Sequence, residues 1–346
     1  MSTSSRPPFL RCLPACVVAL ALAAPASAAP PLHRLVGGVI VSALAGPPKE
    51  SFLAHVRHGD MGGVILVGHW SSSAQIADVS RRLKATACEA GTPLLVAVDQ
   101  EGGRIRRLPW AAPAASARTL GGRSAAHVGT EARATAAALR RAGIDIDFAP
   151  VTDTQLSTRS FLGDRTFSKD PTVVGRVVAA FVHGLQSGHV AATAKHFPGL
   201  GAATASTDDQ AASLHRVRLQ PFRSAIAAGV QLVMVSNAAY PDLDPSDRPA
   251  VFSYVIVTGL LRGVLGFDGV VVTDALDAPT PAGATHAPAR AITAGADLLL
   301  YTSAAAARRG YESLLADAQA VPLLRQHIAA AAARIQALKD WLGTRC

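Results

Sequence analysis

The sequence predicts a single-domain α/β fold, a (β/α)₈ barrel of the TIM type. Short apolar stretches rich in Val, Ile, Leu and Ala recur along the chain, and an amphipathic or alanine-rich stretch follows each of them. Strands that are apolar throughout are typical of a parallel sheet buried on both faces. Eight such units within 346 residues fit a barrel of eight strands and eight helices. A doubly wound open sheet is the alternative, but no GxGxxG motif follows the first strand.

The elements follow one another in the order that a barrel needs. The predicted strands cover residues 35–43, 63–67, 93–99, 145–151, 191–197, 231–237, 269–274 and 296–301. Predicted helices include residues 130–142, 171–186, 222–228 and 254–265. The alanine-rich tail, residues 321–342, carries apolar residues at helical spacing, so we predict a closing helix packed on the barrel. No Pro/Ser-rich linker and no sign of a second domain interrupts this order.

The first 28 residues have the pattern of a secretory signal peptide. Arg6 and Arg11 precede a short apolar run, residues 16–24, and a small-residue cleavage motif ends at Ala28. The run is too short to span a bilayer, and no later segment has the length and hydropathy of a transmembrane helix. We therefore predict export, with residues 29–346 as an extracellular, wall-associated or periplasmic domain that is not stably inserted in a membrane.

The composition limits the partners of the chain. Hydrophobic residues make up 49% and charged residues 16%, which is typical of a packed globular protein. The net charge of +9 comes from scattered basic residues, so a nucleic-acid groove is disfavoured, whereas attraction to anionic wall polymers is compatible with it. We expect a monomer. Only Cys88 and Cys346 follow the leader; the sequence leaves their pairing open and favours an unpaired, half-buried Cys88 and a frayed Cys346.

Polar side chains stand at the ends of four predicted strands. They are Asp99, Lys195 with His196, Asn237 and Asp274. The carboxyl ends of barrel strands form the rim where active sites lie. A single aspartate there is more often a cap or a solvated residue, but four strand ends in register indicate a site. Carboxylates around a pocket rich in donors, without a metal-binding triad, indicate a glycosidase.

Each of these groups has a chemical role that suits it. Asp274 closes a buried strand, which can hold a carboxylate as rigidly as a nucleophile requires. Asp99 can accept hydrogen bonds from a polyhydroxylated ligand. Lys195 and His196 can donate to hydroxyls or to an anion, or alternatively pair with a neighbouring carboxylate. The chain lacks HExxH, paired CxxC, GxSxG and Walker motifs, so we expect neither a metal nor a cofactor.

Successive motifs of the chain resemble those of glycoside hydrolase family 3, in particular its single-domain β-N-acetylhexosaminidase branch. The motifs are VAVDQEGGRIRRL, FAPVTD, FLGDRTFSKDP, AKHFPGLG, RPAVFSYVIVTGLLRGVLGFDGVVVTDAL and RAITAGADLLLY. They run in family order from about residue 35 to residue 338 and so cover nearly the whole mature chain. The resemblance implies a cofactor-free, retaining, exo-acting glycosidase on a TIM barrel that hydrolyses terminal β-linked N-acetylglucosamine.

The resemblance also implies roles for individual residues. Asp274 falls on the family's nucleophile. The positions that match sugar-contacting residues of the family are Asp99, Arg107, Arg165, Lys195 and His196.

The loop after Lys195 and His196 departs from the family. The family branch usually carries its acid/base there, an Asp-Ser-His dyad following GHG. In this chain Leu200 replaces the first histidine, and residues 206–210 read STDDQ in place of the dyad. Asp208 or Asp209 is therefore the candidate acid/base, and Asp208 is the first choice. The alternative is a solvated loop end or a helix N-cap.

Three functions are compatible with these residues. The first is an exported retaining exo-β-glycosidase acting on N-acetylglucosamine in cell-wall or chitin fragments. The second is a catalytically weak or inactive barrel that binds sugar or wall polymer, which the missing loop histidine favours. The third is a β-glucosidase, which is disfavoured because such relatives usually carry a second domain that contributes to the site.

Overall fold

The computed structural model describes residues 1–3 and 30–346, and the predicted signal peptide with its cleavage site near Ala28 falls almost wholly outside these residues. Residues 31–346 form one compact unit. Within residues 1–3 and 30–346, no helix combines the length and hydropathy needed to cross a membrane.

Eight parallel strands form the centre of this unit. They are β1 (Ile40–Leu44), β2 (Gly63–Leu66), β3 (Leu95–Val98), β4 (Ile146–Asp147), β5 (Ala191–Phe197), β6 (Leu232–Val235), β7 (Val270–Thr273) and β8 (Leu299–Tyr301). Each strand from β1 to β6 pairs with the next along the chain, and β1 also pairs with β8. A parallel bridge between Val272 and Leu298 brings β7 beside the start of β8 and nearly closes the ring. The predicted (β/α)₈ barrel is confirmed.

Helices surround the strands on the outside. They are α1 (Leu32–Gly38), α2 (Glu50–His58), α3 (Ser73–Glu89), α4 (Ala117–Gly121), α5 (Ala125–Arg141), α6 (Pro171–Gln186), α7 (Gln220–Ala227), α8 (Pro279–Ala282), α9 (Ala287–Ala294), α10 (Ala304–Ala320) and α11 (Pro322–Leu342). A π-helical segment, Val255–Val264, takes the helix position between β6 and β7. Short 3₁₀ turns cover Gly163–Arg165 and Ala250–Phe252, and a small antiparallel hairpin pairs Gln100–Gly102 with Ile105–Arg106.

Two predicted strands differ from the observed elements. Residues 35–38 are helical, because the carbonyl of Pro31 accepts from the N–H groups of Arg34 and Leu35 and starts α1. An apolar run of that length suits a buried helix as well as a strand. The predicted strand at 145–151 is regular only over Ile146–Asp147. Pro150 lies in the remainder, and proline has no N–H to offer a sheet.

The tail closes the end of the barrel opposite the strand carboxyl termini. Asp297, which precedes β8, accepts from Arg262 Nη2 at 2.7 Å and from Arg334 Nε of α11 at 2.8 Å. The tail that the sequence predicts as a helix thus contains α11, Pro322–Leu342.

A disulfide joins Cys88 at the end of α3 to Cys346, with the two Cα atoms 5.1 Å apart. The expectation of an unpaired Cys88 and a frayed Cys346 is wrong. The two residues are 258 positions apart in the sequence, and only the path of α11 brings them together.

Candidate active site

The carboxyl ends of β3, β5 and β7 bring the predicted site residues to one mouth of the barrel. Lys195 and His196 belong to β5, which pairs with β4 on one side and β6 on the other. Asp99 directly follows β3, and Asp274 directly follows β7. Since all the strands run parallel, these ends face the same way, as predicted for a barrel rim.

A buried ion cluster occupies one side of this mouth. Lys195 Nζ lies 2.7 Å from Asp99 Oδ1 and 2.7 Å from Glu101 Oε1. Arg165 donates to both oxygens of Glu101, from Nε at 2.8 Å and from Nη2 at 2.9 Å. Glu101 therefore joins the two cations, and its paired contact with the planar guanidinium fixes the direction in which Arg165 points.

The charges of this cluster settle its protonation. Burial alone would raise the pKa of Glu101, but the charges of Lys195 and Arg165 outweigh it and lower that pKa to about 2. Burial would likewise lower the pKa of Lys195, yet Asp99 and Glu101 raise it. The cluster is thus fully ionised near neutral pH, with two anchored cations at the mouth.

His196 is held by a carboxylate below it. Its ring Nδ1 lies 2.8 Å from Asp153 Oδ2, and its backbone N–H donates to the same oxygen at 3.1 Å. The N–H of Leu200 donates to the other oxygen of Asp153 at 2.6 Å. Because a carboxylate at Nδ1 favours a proton there, Nε2 is left to face a ligand. Asp153 therefore orients the histidine and anchors the start of the loop that follows.

Asp274 is half-buried at the end of β7, and its backbone is tied on both sides. Its N–H donates to the carbonyl of Val235 on β6 at 2.8 Å, and its Oδ1 accepts from the N–H of Ala275 at 2.9 Å. The carbonyl of Ala275 in turn accepts from Asn237 Nδ2 at 2.8 Å. This arrangement fixes the carboxylate of Asp274 at the mouth, as the role of nucleophile requires.

Asp208 lies on the loop after β5 and interacts with Asp274. Ser206 Oγ accepts from the N–H of Asp208 at 3.1 Å and shapes a tight turn. Desolvation on the inner side of the exposed Asp208 side chain raises the pKa of its carboxyl, and the charge of Asp274 raises it further. Asp208 is therefore within electrostatic range of Asp274. The next helix, α7, begins only at Gln220, so the helix N-cap alternative for Asp208 is wrong.

Close packing holds the stem of this loop. A Cβ atom on Gly201 would lie 1.7 Å from the carbonyl oxygen of Thr154, so only glycine permits this approach. Leu200, which stands where the family carries a histidine, is buried in the core and offers no polar group.

Two predicted residues are less firmly placed. The N–H of Arg107 donates to the carbonyl of Asp99 at 3.4 Å, and Arg107 Nε is buried without a partner among the described residues. Arg107 thus lies beside Asp99, and its Nε is a hydrogen-bond donor without an acceptor among the described residues. Asp209 is exposed, and the structure shows only its backbone bonded within the loop, to the carbonyl of Ser206.

One further carboxyl group lies beneath the ion cluster. Asp147 of β4 is fully buried, and its Oδ1 accepts from the N–H of Gln100 at 2.9 Å. Its Oδ2 has no partner among residues 30–346. Burial raises the pKa of Asp147 to about 8, so this group is mostly neutral at pH values where Glu101 is charged. A neutral group here avoids adding a further negative charge beneath the cluster.

Sequence reasoning missed Glu101, Asp153 and Asp147 as parts of the site. Glu101 stands two residues after Asp99, and Asp153 ends the FAPVTD motif, so both lay within segments already recognised. Glu101 holds Arg165 and Lys195, and Asp153 holds His196. The position of a residue near the end of a strand does not reveal such a role. In the ranges that the structure describes, no group of three or more His, Cys, Asp or Glu residues is arranged to hold a metal ion.

Comparisons with known proteins agree with this geometry. The family model described as the glycosyl hydrolase family 3 N terminal domain matches residues 37–338. A β-hexosaminidase of Stenotrophomonas maltophilia is 36% identical over 271 residues, which cover 71% of this chain and 77% of that protein.

Solved structures show the same likeness. A family 3 β-N-acetylglucosaminidase from a Paenibacillus species has a TM-score of 0.83 and 31% identity, covering 91% of this chain and 63% of that one. A β-N-acetylhexosaminidase from Beutenbergia cavernae has a TM-score of 0.83 and 34% identity, covering 91% of this chain and 100% of that one. The chain therefore belongs to glycosyl hydrolase family 3 and is a glycoside hydrolase.

Proposed function

We propose that this glycoside hydrolase is an exported, retaining exo-β-glycosidase that releases terminal β-linked N-acetylglucosamine from cell-wall or chitin fragments. The observation that carries the proposal is the pair of carboxyl groups at the barrel mouth. Burial and, after it, the charge of Asp274 raise the pKa of Asp208, so the loop carboxyl stays protonated to higher pH while Asp274 is available as a nucleophile.

In the first step Asp274 is the nucleophile. Its carboxylate attacks the anomeric carbon, and the bond from that carbon to the leaving oxygen breaks. Asp208 donates its proton to the departing oxygen, so the aglycone leaves as a neutral alcohol. The products of this step are a covalent glycosyl-enzyme ester on Asp274 and an ionised Asp208.

In the second step Asp208 acts as a base. It takes a proton from a water molecule, whose oxygen attacks the anomeric carbon and displaces Asp274. Two displacements on opposite faces restore the original β configuration. Asp208 ends protonated and Asp274 ends ionised, so the enzyme returns to its starting state.

The surrounding donors and acceptors bind the sugar. Lys195 and Arg165 present fixed cations to its hydroxyl oxygens, because Glu101 holds both of them. Asp99 accepts from hydroxyls, and the spare Nε of Arg107 and Nε2 of His196 supply further hydrogen-bonding groups. Preorganised polar groups of this kind cost little reorganisation when charge develops in the transition state.

The names of similar proteins support the proposed sugar, and the leader pattern and the disulfide support the proposed export. The similar proteins described above are named as hexosaminidases or N-acetylglucosaminidases, which favours a 2-acetamido sugar. The leader pattern favours export, and the disulfide between Cys88 and Cys346 is typical of an oxidising compartment outside the cytosol.

Hydrolysis of aryl β-glycosides that differ only in the sugar tests the proposal. We expect the N-acetylglucosaminide to be cleaved with a higher kcat/KM than the glucoside, with the β-anomer of the free sugar as the first product. Faster cleavage of the glucoside would make the protein a β-glucosidase. Binding without turnover of either substrate would favour the weakly active, sugar-binding barrel.

A further inference from the structure

Exposed apolar side chains gather on one flank of the barrel. Seven large apolar residues of the described chain are exposed, and two of them, Met1 and Trp110, line neither of the cavities described below. The other five, which we call the flank patch, are between 46% and 64% exposed: Tyr254, Val255, Val264, Val321 and Leu323. The first three lie at the two ends of the π-helical segment, and the last two lie where α10 ends and α11 begins. Apolar patches of this kind on a soluble protein mark an interaction surface.

The residues of the patch line two open cavities. Tyr254, Val321 and Leu323 line one cavity of about 550 Å³. Val255, the residue next to Tyr254, lines a second cavity of about 340 Å³ together with Val264. None of the residues predicted to bind the sugar lines either cavity. The patch is therefore a surface separate from the catalytic mouth.

Two arginines border the larger cavity. The guanidinium of Arg290 stacks over the ring of Phe252 at 4.6 Å, and the salt bridges within residues 30–346 do not include it. Arg248 donates from Nε to Ser246 Oγ at 2.6 Å and lies 3.9 Å from Asp244, a long contact for an ion pair. The one carboxylate that lines this cavity, Asp317, is already bonded to His286 at 2.8 Å. The lining of the cavity therefore carries two arginines against one carboxylate.

We propose that the flank patch docks the enzyme reversibly on the surface of an anionic lipid bilayer. Valine, leucine and tyrosine side chains suit the boundary between headgroups and acyl chains, where aromatic residues with a polar tip are favoured. Arg248 and Arg290 stand beside them, so their guanidinium groups can reach lipid phosphates. Electrostatic attraction and apolar insertion act together at this surface.

A second copy of the chain is a poorer occupant. A twofold interface brings the same surface of both copies together. It would therefore set Arg248 and Arg290 of one copy against the same arginines of the other, and the net charge of +9 adds to the repulsion. An anionic bilayer neutralises the same charges.

Sedimentation of the full mature chain with lipid vesicles tests this proposal. We expect binding to vesicles that contain phosphatidylglycerol, little binding to vesicles of phosphatidylcholine alone, and weaker binding as salt is added. Arg248→Gln and Arg290→Gln should each weaken binding about fivefold. Val321→Ser combined with Leu323→Ser should weaken it as well, because less apolar surface enters the bilayer.

Matched controls separate docking from folding and from catalysis. Arg140→Gln and Arg141→Gln remove the same charges from α5, which follows β3 on another part of the barrel, and should leave binding to vesicles unchanged. All variants should retain wild-type hydrolysis of a soluble aryl glycoside and wild-type circular dichroism. Equal losses for the α5 variants and the patch variants would overturn the proposal. So would failure of the wild type to bind anionic vesicles, or a dimer in light scattering that the patch substitutions dissociate.

Discussion

The two ends of the barrel use similar charged groups for different purposes. At the mouth, Glu101 joins Lys195 to Arg165. At the closed end, Asp297 joins Arg262 to Arg334, and its Oδ2 also accepts from the N–H of Val271 at 2.8 Å. The closed end ties secondary structure together. The mouth keeps partly exposed carboxylates at Asp99 and Asp274.

The difference shows what separates a site from a structural ion pair. Both clusters are buried and both bridge distant parts of the chain. Buried polar atoms without a partner occur at both ends, Arg107 Nε at the mouth and Arg262 Nε at the closed end. The mouth differs because its carboxylates are partly exposed, and because burial and the charge of Asp274 raise the pKa of Asp208 there. Unsatisfied polar atoms and raised pKa values at an accessible rim are features of functional sites. Substitutions at the two ends should therefore differ in what they change.

The largest effect is expected for Asp274→Asn. The variant removes the nucleophile and keeps its shape, so kcat should fall by about 10³-fold or more. The midpoint of thermal unfolding should stay near the wild-type value, since Asp274 accepts its one side-chain hydrogen bond from its neighbour Ala275. Steady-state kinetics with an aryl glycoside and calorimetry measure the two quantities. Wild-type turnover in a folded variant would assign the nucleophile elsewhere.

A matched pair of substitutions compares the two clusters directly. Glu101→Gln and Asp297→Asn each remove the carboxylate that joins two cations, so each should lower the free energy of unfolding by about 3 kcal/mol. Glu101→Gln should also lower kcat/KM by about 10²-fold, because Arg165 and Lys195 lose their fixed positions. Asp297→Asn should leave kcat/KM near wild type. Denaturant titrations measure the free energy of unfolding of both variants, and steady-state kinetics measure their kcat/KM. Equal losses of kcat/KM in the two variants would contradict the proposed difference between the two ends of the barrel.

Loss of the disulfide should affect stability alone. Cys346→Ser opens a covalent loop that spans 258 positions, which should lower the free energy of unfolding by about 2–4 kcal/mol. The bond lies at the closed end, so kcat and KM should not change. Reduced wild-type protein should match the variant in a denaturant titration. A catalytic loss in the folded variant would show that the closed end communicates with the mouth.

The last of these effects concerns the stability that Asp147 contributes, which depends on pH. Burial raises its pKa from 3.8 to about 8, so the folded protein binds a proton that the unfolded chain releases. Its contribution to stability is therefore complete below about pH 3.8 and is lost as the pH rises through about 8. Asp147→Asn should remove this part of the pH dependence. The comparison needs the free energy of unfolding of the wild type and of Asp147→Asn across that pH range. Parallel curves of this free energy against pH would refute a neutral Asp147 in the folded protein.

Much of the fold could be predicted from the sequence because barrel strands are apolar along their whole length. Residues 35–38 escaped prediction because an apolar run alone does not distinguish a helix from a strand. The π-helical geometry of Val255–Val264 also left no signal in the spacing of apolar residues. The pairing of Cys88 with Cys346 depends on the course of α11 across the closed end, which local patterns do not encode.

The site was predictable only in part, for a related reason. Asp99, Lys195, His196 and Asp274 end strands, and parallel topology alone places strand ends at one rim. Asp153 lies beyond a strand and acts through His196, so its role depends on a distance that sequence does not provide. The electrostatic effect of Asp274 on Asp208 likewise depends on the path of a loop, and the family's histidine is absent from that loop.

The role of Asp208 is the central claim, and a comparison of leaving groups tests it most directly. A disaccharide needs protonation of the departing oxygen, whereas a nitrophenyl glycoside largely does not. Asp208→Asn should therefore lose about 10²-fold or more in kcat/KM on the disaccharide and far less on the nitrophenyl substrate. Azide should accelerate the variant on the nitrophenyl glycoside, because it attacks the glycosyl-enzyme without a base. Asp209→Asn, the adjacent control, should behave as wild type on both substrates. Equal losses on both substrates for Asp208→Asn, or none, would contradict the assignment.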